Sequence, residues 1–303
     1  CFIPRASLTK QSMSYRNLIS TEILSGQLNN PQWVIIDCRF KLTKTEQKEQ
    51  EYLEAHIPGA CYAHLDRDLS SPVKPGITGR HPLPDVSNCV ECFSKWGIGS
   101  ETQVVAYDDA GGAIAARLWW LLQWLGHEAS ALLDGGWQQW IEEGRDLGKG
   151  PVNRLASTFK AAPPKNWVWN VREVLANLNS EDILLLDARN AERFQGVRET
   201  IDPIAGHIPG ACNEPFQVNL DSKGLWKTPE VLHRQYLERF PELPRKKVVS
   251  YCGSGVTACH TFFALLYAGF GDTFIYPGSW SEWITDSSRP MAVGEENQSD
   301  QSS

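Results

Sequence analysis

His56-Ile57-Pro58-Gly59-Ala60-Cys61 returns letter for letter as His207-Ile208-Pro209-Gly210-Ala211-Cys212. Other pairs keep the same order: Val34-Ile35-Ile36-Asp37-Cys38-Arg39 with Leu184-Leu185-Leu186-Asp187-Ala188-Arg189, and Leu133-Asp134-Gly135-Gly136-Trp137 with Tyr276-Pro277-Gly278-Ser279-Trp280. Their offsets, about 143 to 151 residues, exceed the roughly 20–50 residues of solenoid repeats and indicate duplication of a whole domain. A chain of 303 residues fits two domains at about 100–200 residues each. In both copies the repeated motif reads as a turn in which Pro fixes φ and Gly permits a left-handed residue.

Working outward, short apolar runs at 33–37, 104–107, 130–133, 183–187, 247–251 and 273–276 read as buried parallel strands. Helical patterns run from Ala113 to Leu125, Trp137 to Glu143, Val171 to Leu178, Pro229 to Phe240 and Thr257 to Ala268. This alternation predicts an α/β fold of two tandem domains, each a mainly parallel sheet flanked by helices. The expected boundaries are 12–148 for the first domain, 149–166 for a Pro/Gly-rich linker, 167–292 for the second domain and 293–303 for a polar, disordered tail.

Composition narrows the function classes. The net charge is −7, and no clustered Lys/Arg stripe follows a phosphate backbone, which argues against nucleic acid. No apolar stretch approaches the ~18 residues of a membrane span. The N-terminal run carries no secretory signature, and a chain of this size needs no disulfide staples, so its 8 cysteines are expected as free thiols in the cytoplasm. Cys89-Val90-Glu91-Cys92 lacks the second ligand pair of a structural zinc site, and the reading calls for no metal and no cofactor.

One cysteine stands apart. Val248-Val249-Ser250-Tyr251-Cys252-Gly253-Ser254-Gly255-Val256-Thr257-Ala258 is an apolar strand breaking into a small-residue loop that feeds a helix. Ligands bind outside the carboxyl ends of such strands, and inward-pointing backbone N–H groups at a helix start favour a thiolate there. The equivalent place in the first half reads Val104-Val105-Ala106-Tyr107-Asp108, with aspartate in place of the cysteine. Ser254 is expected to touch substrate, and Thr257 to cap the helix.

Together the duplicated D-x-R and H-I-P-G-A motifs, the Gly278-Ser279-Trp280-Ser281-Glu282-Trp283 run and the Cys252–Ala258 loop resemble the tandem rhodanese-domain sulfurtransferases, over roughly residues 15–291. The resemblance implies a non-catalytic N-terminal domain, a catalytic C-terminal domain and an active site where the two meet. The uncharged loop is more similar to the 3-mercaptopyruvate branch than to the thiosulfate branch. It implies transfer of a sulfane sulfur from a small anionic donor, 3-mercaptopyruvate, through a Cys252 persulfide to cyanide, a thiol or a thioredoxin-like acceptor, with release of pyruvate. The alternatives are a thiosulfate:cyanide sulfurtransferase using the same cysteine and a non-catalytic persulfide carrier.

The same resemblance implies site roles. Ser254 relays a proton in concert with His56; Arg193 clamps the anionic group; Gly253, Gly255, Val256 and Thr257 form the substrate loop; Phe40 lines the pocket. Mercaptopyruvate enzymes usually carry a second arginine nine residues after the first. Here that position is Asp202, and Arg198 is the nearby substitute. A related fold hosts Cys-x5-Arg phosphatases, and Ala258 at the arginine position argues against phosphoryl transfer.

Overall fold

The computed structural model describes residues 14–295. Cys1 and most of the expected polar tail lie outside these residues, as do positions 12 and 13 of the expected first domain. Two parallel sheets account for the repeat. In the first, β1 (Leu18–Ile19), β2 (Trp33–Asp37), β3 (Cys61–Tyr62), β4 (Gln103–Tyr107) and β5 (Ser130–Leu133) lie in the order β1-β5-β4-β2-β3. In the second, β6 (Ile183–Asp187), β7 (Cys212–Asn213), β8 (Lys247–Tyr251) and β9 (Thr273–Ile275) lie in the order β7-β6-β8-β9. All strand pairs are parallel, and β2 with β4 repeats the register of β6 with β8 residue for residue.

The first domain carries α1 (Thr21–Ser25), α2 (Gln47–Glu54), α3 (Leu65–Asp68), α4 (Val86–Lys95), α5 (Ala115–Trp124) and α6 (Gly136–Glu142); the second carries α7 (Val171–Ala176), α8 (Ala191–Phe194), α9 (Pro229–Arg239), α10 (Thr257–Tyr267) and α11 (Ser279–Trp283). Alternation along a strand sends neighbouring side chains to opposite faces. Ile35 and Val105 thus meet Leu24 and Trp140 on one face, while Val34, Ile36 and Val104 meet Phe93 and Leu118 on the other. The second sheet does the same, with Leu185, Val249 and Tyr251 against Val174, Trp280 and Trp283.

The two inner faces share one core. Trp119 of α5 meets Phe263 of α10 edge-on at 4.8 Å, and Trp120 meets Phe262 at 6.2 Å. The segment 149–166 contains no helix or strand and is pinned along the first domain by Ser157 N to Ser94 O at 2.9 Å and Ala162 N to Leu125 O at 2.8 Å. Among the described residues no helix is long and apolar enough to cross a membrane.

The repeated motifs form matched supports. Arg39 grips Asp37 at 2.6 Å and Arg189 grips Asp187 at 2.6 Å, both pairs buried. His56 Nδ1 meets Tyr52 O and His207 Nδ1 meets Phe194 O, each at 2.8 Å, with Gly59 and Gly210 both at φ 78° in the left-handed region. The turn leads into the edge strands β3 and β7, which explains why the same six letters are needed twice.

Candidate active site

Cys252 follows the last residue of β8, an inner strand of the second sheet, and its side chain sits over the loop leading into α10. Sγ accepts N–H groups from Gly255 at 3.1 Å and Ser254 at 3.4 Å, and the residue is only 2% exposed. The loop is fixed from α11: Cys252 O accepts Trp280 N and Gly253 O accepts Ser281 N, each at 2.9 Å. Cys252 N donates to Ser279 Oγ at 3.1 Å. Ser279 is the one non-glycine residue with positive φ among the described residues, at 55°, and the first-domain counterpart of that position is Gly136. A left-handed serine is strained, and its hydroxyl is what the strained backbone aims at the Cys252 amide. Gly255, at φ 77°, is needed twice over, since a Cβ there would also collide with the Pro277 carbonyl.

The first domain supplies much of what surrounds this loop. Ser254 Oγ lies 2.7 Å from His81 Nδ1, and His81 Nε2 lies 3.1 Å from Asp66 Oδ1. Burial pushes the His81 imidazole below its ordinary value, against the upward pull of Asp66. The hydrogen bond to His81 is the main cause holding the Asp66 carboxyl down. Phe40 packs edge-on against His81 at 6.3 Å and His64 at 5.3 Å, so its ring braces the imidazole from the core. Arg117 of α5, fully buried, donates to Gly255 O at 3.2 Å and His81 O at 3.2 Å, tying both halves of the site to one guanidinium.

The expected partner of Ser254 is thereby corrected. His56 is buried in its turn, stacked on Tyr52 and paired through its backbone with Gly148, while the imidazole on Ser254 is His81. Thr257 is also corrected: it is the first residue of α10, whose N-cap is Val256, and no side chain caps that helix. Arg193, on α8, has its guanidinium beside Gly253. Arg198 is exposed, and the second guanidinium at Gly253 is Arg80. The run Gly79-Arg80-His81, with Asp66 upstream, was the available signal for these missed residues; it lies outside every repeated motif.

The rhodanese-like domain model matches residues 20–143 and 170–286. The chain belongs to the tandem rhodanese-domain sulfurtransferases. It is 45% identical to the probable 3-mercaptopyruvate sulfurtransferase of Pseudomonas aeruginosa, over 93% of this chain and 100% of that one. It is 32% identical to the thiosulfate sulfurtransferase of Rattus norvegicus, over 89% and 92% respectively. Among solved structures, the 3-mercaptopyruvate sulfotransferase SseA of Escherichia coli superposes with a TM-score of 0.75 at 30% identity, covering 88% of this chain and 99% of that one. The protein is therefore a sulfurtransferase enzyme with two rhodanese domains.

In the first rhodanese domain the matching loop is filled differently. Asp108 accepts four backbone N–H bonds, from Ala110, Gly112 and Ala115 at 2.8 Å and Ile114 at 2.7 Å. The outer frame is unchanged, since Trp137 N donates to Asp108 O at 2.8 Å as Trp280 N does to Cys252 O. In the second rhodanese domain Cys259 packs under the loop with Sγ 3.4 Å from Gly255 O, and burial pushes its thiol up to about 12. Burial likewise pushes Cys89 up to about 11. Such thiols are poor nucleophiles.

Proposed function

We propose that this sulfurtransferase takes its sulfur from 3-mercaptopyruvate, carries it as a Cys252 persulfide and passes it to cyanide, a small thiol or a thioredoxin-like protein. The reading rests on the Ser254–His81–Asp66 chain beside an amide-cradled sulfur. A donor that departs as an enolate needs a proton delivered, and this chain is built to deliver one. The relatives named for 3-mercaptopyruvate add support.

The Cys252 thiolate attacks the donor sulfur, forming an S–S bond as the donor C–S bond breaks. The electron pair of that bond departs on the enolate of pyruvate. The donor thiol's own proton moves through Ser254 and His81 to the enolate, leaving a persulfide anion and pyruvate, so charge and protons balance. Neutral His81 accepts the proton and returns it, and Asp66 stabilises the imidazolium formed between those steps. Arg193 holds the donor carboxylate. The acceptor thiolate then attacks the outer sulfur and regenerates Cys252.

Cys252→Ser is expected to release no pyruvate from 3-mercaptopyruvate, and wild-type protein treated with donor alone to gain the mass of one sulfur atom on the peptide containing Cys252. Normal pyruvate release by the serine variant would overturn the mechanism. A higher kcat/KM for thiosulfate than for 3-mercaptopyruvate, with cyanide as acceptor, would overturn the donor assignment while leaving the persulfide intact.

A further inference from the structure

Two guanidiniums from different domains converge on one point of the catalytic loop. A methyl group at Gly253 would lie 3.1 Å from Arg80 Nη2, 3.3 Å from Arg193 Nη2 and 3.5 Å from Arg193 Nη1. One carboxylate holds both arginines: Asp202 Oδ1 accepts Arg80 Nη1 at 2.5 Å and Oδ2 accepts Arg193 Nη2 at 2.7 Å. Glu199 grips Arg193 Nε from behind at 2.8 and 3.0 Å.

Arg80 is carried to this point by backbone docking across the domain junction. Its N–H donates to Ser281 Oγ at 2.9 Å, and Gly79 lies so close to the Gly278 carbonyl that any Cβ would collide. Arg80 Nε is buried without a hydrogen-bond partner among the described residues. The Asp202 side chain is 1% exposed, whereas that of Arg80 is 25% exposed, and Arg80 Nη2 is the guanidinium nitrogen nearest Gly253.

Two arginines with two carboxylates leave this cluster without net charge. Its attraction for an anion therefore lies in oriented N–H donors rather than in a positive field. Such donors suit a planar carboxylate, which accepts in a fork. A compact dianion gains more from net positive charge, and Asp202 cancels that charge at the point of binding.

We propose that Arg80 and Asp202 complete a domain-spanning clamp with Arg193 that seats the single carboxylate of a 2-oxo acid donor against Gly253 and selects it over a dianionic donor. Arg80 binds the carboxylate directly; Asp202 is a positioning residue that sets the spacing of the two guanidiniums and their net charge. The proposal extends the donor assignment made above and rests on it.

Binding can be measured apart from sulfur transfer. In the Cys252→Ser background, adding Arg80→Ala is expected to weaken calorimetric binding of 3-mercaptopyruvate by about tenfold or more, as loss of a charge-assisted hydrogen bond implies. In the Cys252-intact enzyme, Arg80→Ala should raise KM for 3-mercaptopyruvate by a larger factor than it lowers kcat, and Arg80→Lys should recover only part of the loss. Asp202→Asn, with its Tm checked against wild type, should raise the ratio of kcat/KM for thiosulfate to that for 3-mercaptopyruvate by about tenfold. Unchanged binding in the Arg80 variant overturns the clamp. An unchanged donor ratio in a folded Asp202 variant overturns the selection. Failure of the persulfide reading would appear instead as no sulfur gained by wild type, with the calorimetric result still standing.

Discussion

The relay role proposed for His81 depends on burial as much as on position. Held below its ordinary value of 6.5, the ring is neutral across the neutral range, with Nδ1 2.7 Å from the Ser254 hydroxyl. Protonation removes that acceptor only on the acid side, so kcat/KM should be flat near neutrality and fall as pH drops, with a midpoint below 6.5. His81→Gln is expected to lower kcat by about 10²-fold or more, the usual contribution of a positioned acid–base group, and to abolish that acid limb. A variant that keeps both the rate and the limb would remove His81 from the relay.

Gly253 offers a second test at the same scale. Its φ is not left-handed, so alanine is tolerated by the backbone, but the new methyl would press on both guanidiniums at 3.1–3.3 Å. Gly253→Ala should raise KM for the donor several-fold, measured at saturating cyanide, with little change in Tm.

The loop from Cys252 to Gly255 could be read from the sequence because strand, small residues and helix are local signals. His81, Asp66, Arg80 and Arg117 could not, since nothing near them in the chain shows that α5 and the 79–82 segment will close over a loop some 140 residues or more away. His56 drew attention through its repeated motif, and the repetition reflects a shared turn rather than shared chemistry.

Among the elements, α5 and α10 carry the junction. Both are apolar nearly all round, with Trp119, Trp120, Phe262 and Phe263 buried between the sheets, as a helix packed on two sides requires. Phe263→Ala is expected to cost about 3–5 kcal/mol in urea unfolding, because its fully buried ring meets Trp119, Trp226 and Tyr267. Strands β2, β4, β5, β6, β8 and β9 were visible as continuous apolar runs and α5, α9 and α10 as helical patterns, whereas α2 and α4 were not read. The two-residue strands β1, β3 and β7 and short helices such as α3 and α8 were not, since so few residues display no period.

Ser279 shows how an element end can serve the site. Ser279→Gly would relieve the left-handed backbone yet remove the hydroxyl on the Cys252 amide. The expected result is a protein of near wild-type Tm with reduced kcat; an unchanged kcat would show that Gly255 and Ser254 alone fix the sulfur.

For the whole molecule, one copy carries Cys252 and Ser254 while the other carries His81 and Asp66, the groups of the proposed relay. Residues 167–292 expressed alone retain Cys252 but lose Asp66, Arg80, His81 and Arg117, and should turn over donor at less than about a hundredth of the full rate, given 10²–10⁴-fold for the relay alone. Mixing the separate halves and recovering activity would show that the shared aromatic core suffices to reassemble them.

The carboxylate of Asp108 bears on stoichiometry. By saturating four amides with its own oxygens it plugs the sister cradle from within, leaving no vacancy there for an incoming anion. Titration with donor should therefore saturate at a single equivalent of labile sulfur per polypeptide, although the architecture contains the receptacle twice.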